Sequence, residues 1–211
     1  MADIKGLSQF KEALKGGGAR PNLFEVEIAN FPEGWADPQG LGEWSSDVIK
    51  QFKFLCKSAA LPASNISPIE IPFRGRTFKV AGDRTFDTWT ITIINDSDFA
   101  IRRAFEGWMQ YIGQYSDHSG VTNPNDYMVN ATVYQLGRAP VKAESGTGTG
   151  GKAEVNAQYR FIDIFPTSIS AIDLSYDSSD TIEEFTVDMQ VQFWYPEKEG
   201  TEGRQGSDTT V

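Results

Sequence analysis

One stretch decides the fold, Val80-Ala81-Gly82-Asp83-Arg84-Thr85-Phe86-Asp87-Thr88-Trp89. It ends one segment of alternating apolar and polar residues and leads into a second, Trp89-Thr90-Ile91-Thr92-Ile93. Gly82 permits a turn because glycine adopts positive φ, and Asp83 can cap its own backbone there. We therefore predict a β-hairpin whose turn presents Asp83 and Arg84. At the tip, the Arg84 guanidinium is suited to a bidentate partner across an interface, although an ordinary polar tip fits the same residues.

Alternating apolar residues predict further strands on both sides of this hairpin. The segments are 23–28, 51–57, 66–73, 129–136, 157–165 and 185–195. Pro68 and Pro72 confine the third of these to an edge or to partial pairing. One amphipathic helix is predicted over 99–112, capped by the side-chain oxygens of 95–98. Because no βαβ rhythm is present, the pattern predicts a mainly β protein, an antiparallel β-sandwich or small barrel with one flanking helix.

Three regions are predicted along the chain. Residues 1–19 read as an N-terminal arm with a short helix, ended by the glycines at 16–18. Residues 20–195 form the β-domain, with irregular insertions near 31–50 and 143–154. Residues 166–169 read as a bend, and 196–211 as a disordered, charged tail.

Composition narrows the class of protein. The chain has 211 residues and a net charge of -10. That charge argues against an ordinary nucleic-acid binder, although it is compatible with a wall past which DNA slides. From composition alone, the simpler interpretation is favoured, that acidity keeps the protein soluble. The single cysteine, Cys56, fits a reducing compartment. We see no signal peptide and no apolar run long enough to anchor the chain in a membrane, so a soluble cytosolic protein is expected.

The sequence does not predict a catalytic, cofactor or metal site. Residues 146–152 resemble a phosphate-binding loop, but Ala153 stands where magnesium binding needs Ser or Thr. His118 lies in a polar loop without the partners of a triad or zinc site. Cys56 lies on the apolar face of its predicted strand, which favours an inert thiol. Asp173, Asp177 and Asp180 favour a turn over a calcium loop.

Several separated segments resemble the tail tube proteins of contractile-tailed bacteriophages (myoviruses), in the same order. They are ARPNLFEV at 19–26, FLCKSAALPA at 54–63, the hairpin at 80–89, ND at 95–96, FPTSI at 165–169 and IDLSYD at 172–177. The resemblance implies a non-enzymatic virion structural protein. Its copies would form stacked hexameric rings, with strands completing an inter-subunit barrel, around a channel for DNA ejection inside a contractile sheath.

The resemblance also implies partners and a location. The partners are further copies of the chain, the tail sheath protein, the baseplate and tail-terminator proteins, and DNA in non-specific passage. The protein would be assembled in the host bacterial cytoplasm and end in the virion tail. Predicted inter-subunit contacts are Arg20, Gly82, Asp83, Arg84 and Trp89. Residues predicted to face the lumen or another polar face are Glu25, Glu27, Thr88, Thr90, Thr92, Asp188, Gln190 and Gln192.

Two alternatives stay open at this point. The chain could be the inner tube protein of a phage-derived contractile injection or type VI secretion system, which residue patterns do not separate from a phage tube. It could also be a nucleotide- or ligand-binding β-domain that uses residues 146–152.

Overall fold

A computed structural model describes residues 7–14, 18–28, 44–117, 119–140 and 153–197. The helices are α1 (Leu7–Ala13), α2 (Ser46–Leu55), α3 (Ala100–Ile112) and α4 (Pro124–Tyr127). The strands are β1 (Phe24–Ile28), β2 (Cys56–Ala59), β3 (Ser64–Phe73), β4 (Arg76–Phe86), β5 (Trp89–Ile94), β6 (Val129–Pro140), β7 (Ala153–Ile169), β8 (Glu184–Gln190) and β9 (Phe193–Glu197). None of these helices is long and apolar enough to cross a membrane.

Within the described residues, the strands form two separate sheets. The larger has the order β1-β6-β7-β8-β5-β2, with β9 also pairing β7, and the smaller consists of β3 and β4. The pairs β2–β5, β3–β4, β5–β8 and β7–β8 are antiparallel. The predicted mainly β, antiparallel class is therefore confirmed, and β1 and β2 are the two edges of the larger sheet.

The chain divides into two compact units. The first comprises 1–25, 133–159 and 196–211, and the second 26–132 and 160–195. In the first unit, the Gln135 amide donates to the carbonyl oxygens of Arg20 and Leu23, at 2.7 Å each. The Leu136 amide donates to the Leu23 carbonyl at 2.8 Å, which fixes the segment before β1 along β6.

The core of the second unit follows from the alternation in β5 and β8. Ile91, Ile93 and Val187 are fully buried, because residues of one parity on a strand share one face. On α3, Phe105 and Trp108 are buried as well. Further members of this core are Val26, Ile28, Phe52, Trp89, Ile101, Ala104, Phe161, Ile164, Phe185 and Met189.

Helix α3 confirms the predicted amphipathic helix and its cap. The Ala100 amide donates to Asp96 Oδ1 at 3.1 Å, which satisfies one of the unpaired amides of the first turn. Phe99 precedes the helix with φ of 55° and is exposed, so it is not part of the buried apolar face of α3. Trp108 Nε1 donates to the Tyr127 carbonyl at 2.8 Å, which links α3 to α4.

The strand predicted over 51–57 is wrong. Ser45 Oγ accepts a hydrogen bond from the Val48 amide at 3.3 Å and begins helix α2 in its place. Phe52 is buried, whereas Phe54 is 85% exposed, so the two phenylalanines do not share a face. The helix packs Phe52 against the buried Trp44, whose ring centroid is 5.8 Å away. Trp44 is therefore part of the core, and residues 31–43 of the predicted insertion lie outside the described residues.

Two boundaries near the end of the chain also differ from prediction. The long strand predicted over 185–195 is broken: β8 ends at Gln190, and β9 begins at Phe193 and pairs β7. The predicted bend at 166–169 is part of strand β7 instead. Its ladder shifts register between Pro166 and Ser168, because proline has no amide hydrogen to donate.

Candidate assembly interface

Strands β3 and β4 form a long hairpin whose turn is Arg74-Gly75. Their φ angles are 46° and 79°, and two successive positive values are what a tight two-residue hairpin turn requires. The predicted turn at Gly82, Asp83 and Arg84 is therefore wrong, since all three residues lie within β4. The signal that identifies the true turn is Gly75, a glycine between two alternating segments, Ile66–Phe73 and Thr77–Val80.

Gly82 has a steric role instead. The ladder pairs Ile66 with Arg84 but Pro68 with Ala81, so β4 carries one extra residue at this bulge. A Cβ on Gly82 would lie 2.5 Å from the Ser67 carbonyl oxygen and 3.0 Å from Ile69 Cγ1. Because real Cβ atoms do not approach backbone oxygens this closely, only glycine lets the two strands meet here.

The register divides the hairpin into two unlike faces. Ile69 pairs with Val80 and Ile71 with Phe78, so these four side chains share one face with Phe73. On the opposite face, Glu70 Oε1 and Lys79 Nζ form an ion pair at 3.2 Å. The apolar hairpin face is the name used here for Ile69, Ile71, Phe73, Phe78 and Val80, whose side chains are 40% to 65% exposed. A contiguous apolar surface of this kind is typical of a protein–protein contact.

The base of the hairpin is closed by two hydrogen bonds and leads directly into the core strand β5. Asn65 Nδ2 donates to Asp87 Oδ1 at 3.0 Å, and the Asp87 amide donates to the Ala63 carbonyl at 3.1 Å. Trp89 then anchors β5: it is 0% exposed and stacks on Phe161 with ring centroids 4.5 Å apart. The single chain therefore buries Trp89, which was predicted as an inter-subunit contact, in its own core. Asp83 and Arg84 are exposed, as a contact role requires.

Strands β5 and β8 bring part of the predicted polar set together. Thr90 pairs with Asp188, and Thr90 Oγ1 donates to Asp188 Oδ1 at 2.7 Å. Thr92 and Gln190 lie on the same half-buried face, opposite the core. The sequence could not show the Thr90–Asp188 bond because the partners are 98 residues apart.

The other predicted polar residues lie elsewhere. Glu27 forms an ion pair with Lys53 Nζ at 3.0 Å, and Thr88 and Gln192 are exposed outside the strands. Arg20 and Glu25 belong to the first unit, where Arg20 is exposed and its carbonyl binds Gln135.

Two observations on the described residues concern metal binding and the single thiol. They contain no group of three His, Cys, Asp or Glu side chains placed to hold a metal ion. Burial raises the pKa of the Cys56 thiol to about 12, so it is protonated at neutral pH and a poor nucleophile. His118 and the glycine-rich segment 146–152 lie outside the described residues.

A comparison with known protein families decides the identity of the chain. The model of the family described as phage tail tube protein matches residues 19–197. The chain belongs to the phage tail tube protein family. The predicted resemblance is thereby confirmed, and the matched range contains the hairpin, both edges of the larger sheet and the polar face of β5 and β8.

Individual relatives agree with this family. The tail tube protein gp19 of Enterobacteria phage T4 is 32% identical over 177 residues, covering 83% of this chain and 90% of the relative. The tail tube protein of Serratia phage KSP90 is 23% identical over 186 residues, covering 87% and 93%. Among solved structures, a chain of the sheath-tube complex of an extracellular contractile injection system, PVC, has a similar fold. It has a TM-score of 0.55 and 14% identity and covers 92% of this chain and 98% of that one.

Proposed function

We propose that this tail tube protein is the repeating subunit of the tube in a contractile phage tail. Copies of the chain would form hexameric rings that stack around a channel, and the genome would pass through this channel during ejection. The observation that carries the proposal is the apolar hairpin face. Residues that are 40% to 65% exposed in a single chain would be covered when copies meet.

The edges of the larger sheet support assembly into rings. Among the described strands, β1 and β2 each pair with a single neighbour. A strand edge presents backbone donors and acceptors that invite pairing with another chain. In a ring built from head-to-tail contacts, each subunit would place one edge against its neighbour, so that no edge remains open.

The polar face of β5 and β8 supports a channel wall. Thr90, Thr92, Asp188 and Gln190 present hydroxyl, carboxylate and amide groups without a Lys or Arg among them. Such a surface would not retain DNA phosphates, which bind to clustered cations. We extend the proposed lining to Glu25, Glu27, Thr88 and Gln192, whose assignment to the lumen rests on their polarity alone.

The proposed partners follow from a tube of this kind. They are the tail sheath protein around the tube and the baseplate and tail-terminator proteins at its ends, with assembly in the host cytoplasm and residence in the virion tail. The role would be structural and not catalytic. An inner tube of an injection machine is the second candidate, favoured by the fold shared with the PVC sheath-tube complex. The 32% identity to the T4 tail tube protein favours the phage.

Negative-stain electron microscopy of the purified protein over a range of concentrations tests the proposal. We expect rings or hollow tubes whose number increases with protein concentration. Monodisperse small particles at every concentration, and also after addition of the baseplate complex of the same phage, would contradict it. Capsid and terminase genes beside the coding gene would separate a phage tube from an injection machine.

A further inference from the structure

The hairpin and the loop that joins β7 to β8 lie at opposite ends of the β5–β8 pair. The hairpin leaves the sheet beside Trp89, which pairs with Met189. The loop, residues 170–183, reaches the sheet beside Glu184, which pairs with Ile94. These two ends are roughly 17 Å apart along the strands, at about 3.3 Å per residue. The base of the hairpin and the loop thus lie at opposite ends of this strand pair, as a head-to-tail contact between copies requires.

The loop has the surface of an acceptor. A concavity of about 650 Å³ is lined by residues between Ala171 and Glu184. Leu174, Tyr176 and Ile182 are strongly exposed around it. The segment 171–184 carries only negative charge, at Asp173, Asp177, Asp180, Glu183 and Glu184.

Some of these carboxylates are already engaged and others are not. Glu184 forms an ion pair with Lys57, and Glu183 accepts a hydrogen bond from Asn95. Asp173 and Asp177 form no ion pair with any residue that the structure describes. They remain available to a cation from another molecule.

The hairpin tip has the opposite charge. Between Phe73 and Phe78 it carries Arg74 and Arg76 and no acidic residue. Neither arginine forms an ion pair with a described residue, and the Arg74 guanidinium lies 5.4 Å from the centre of the Phe73 ring. The tip therefore combines an apolar face with two cations, and the loop combines exposed apolar side chains with carboxylates.

From this complementarity we infer that the hairpin tip of one copy binds the acidic loop 171–184 of a second copy. Phe73 and Phe78 would enter the concavity, and Arg74 and Arg76 would face Asp173 and Asp177. Opposite charges across such a contact select the partner and fix its register, while apolar burial supplies most of the affinity. The contact joins two different surfaces, so it propagates from copy to copy. The inference rests on the proposed function and names the partner surface of the hairpin.

A charge swap tests the inference. Arg74→Glu with Arg76→Glu, and separately Asp173→Lys with Asp177→Lys, should each reduce assembled protein at least tenfold in sedimentation and electron microscopy. The protein with all four changes should recover most of the assembly, because the charges again oppose each other. Asp180 is left unchanged because its φ of 63° lies in the left-handed region, which Asp adopts more readily than Lys.

A matched control changes the net charge by the same amount as the arginine variant, but at exposed residues outside the hairpin tip and the acidic loop. Lys50→Glu with Arg103→Glu alters exposed residues of α2 and α3 and should assemble like the wild type. Failure of the fourfold variant to recover, or wild-type assembly by both double variants, would overturn the inference while leaving the proposed function intact. Absence of wild-type assembly would instead count against the proposed function.

Crosslinking gives a readout that does not require completed tubes. Thr77→Cys and Ser178→Cys place thiols on the hairpin tip and the acidic loop, both at exposed positions. With a short bis-maleimide, the double variant should give a ladder of covalent multimers, and each single variant should give no species beyond a dimer. Cys56 should not contribute, because it is buried and protonated. A double variant that gives no ladder at assembling concentration would overturn the inference.

Discussion

The β5–β8 pair and the β3–β4 hairpin have the same local design and opposite surroundings. Both are antiparallel ladders in which apolar side chains alternate with polar ones. In β5 and β8 the apolar row belongs to a core that also contains Phe105 and Trp108 of α3, and Ile91 and Val187 are 0% exposed. On the hairpin, no described part of the same chain buries the corresponding row. The alternating pattern therefore specifies which face is apolar, but not whether the same molecule covers it.

The largest effect is expected from replacing one phenylalanine in each of these two regions and comparing the losses of folding stability. Phe185 in β8 is 1% exposed, and Phe78 in β4 is 64% exposed. Phe185→Ala should lower the free energy of unfolding by about 3–5 kcal/mol, because it removes buried apolar contacts and leaves a cavity. Phe78→Ala should lower it by less than about 1 kcal/mol, yet reduce assembly strongly. Urea unfolding of the dispersed protein and sedimentation of the assembled protein measure the two quantities. Equal losses of stability would remove the distinction between the regions.

The next effect concerns the bulge at the base of the hairpin. Gly82→Ala should displace β3 from β4, because its Cβ would lie 2.5 Å from the Ser67 carbonyl oxygen. We expect a clear loss of assembly with the core still folded. Gly113→Ala is the matched control, since nothing lies within 4 Å of a Cβ there. Circular dichroism and sedimentation report the two outcomes. Wild-type assembly of the Gly82 variant would contradict the steric role.

A smaller effect is expected on the polar face of the core pair. Thr90→Val removes the 2.7 Å hydrogen bond to Asp188 and leaves the half-buried carboxylate without that donor. The expected cost is about 1–2 kcal/mol of folding free energy. Thr92→Val alters the same face at a position paired with Thr186 and should cost less. Thermal unfolding of both variants decides this, and an equal shift in Tm would show that the bond contributes nothing.

The smallest expected change in folding belongs to Arg84. Arg84→Ala removes an exposed side chain beside the bulge, so Tm should stay within error of the wild type. Assembly should weaken by a few fold if the guanidinium meets a partner across the interface. Arg103→Ala, at an exposed site on α3, is the control. Unchanged tube formation together with unchanged melting would remove Arg84 from the interface.

Particular residues explain what the sequence could and could not predict. Alternation identified β1, β5 and β8 because each has one buried face, and the helical spacing of Phe105, Trp108 and Ile112 identified α3. Residues 48–56 carry two competing periods, and the Ser45 cap selected the helix over the strand. Gly82-Asp83 looks like a turn in isolation, but the ladder places a bulge there and the turn at Arg74-Gly75.

The candidate interface was the harder part to predict. Local sequence marks Trp89 and Phe78 alike as large aromatic residues in alternating segments, and the structure buries one and exposes the other. The apposition of Thr90 with Asp188 depends on the sheet order, which no local pattern specifies. Pairing between residues that are far apart in sequence is decided by the global packing of the chain. The family resemblance therefore predicted the function, whereas the residues alone did not predict which surface forms the interface.

The apolar hairpin face is expected to be covered by another copy of the chain. Hydroxyl-radical footprinting of the dispersed and the assembled protein tests it most directly. Phe78, which is 64% exposed in the single chain, should be modified in dispersed protein and protected in the assembly, while Phe185, at 1% exposure, should be protected in both. Equal modification of Phe78 in the two states would contradict the account.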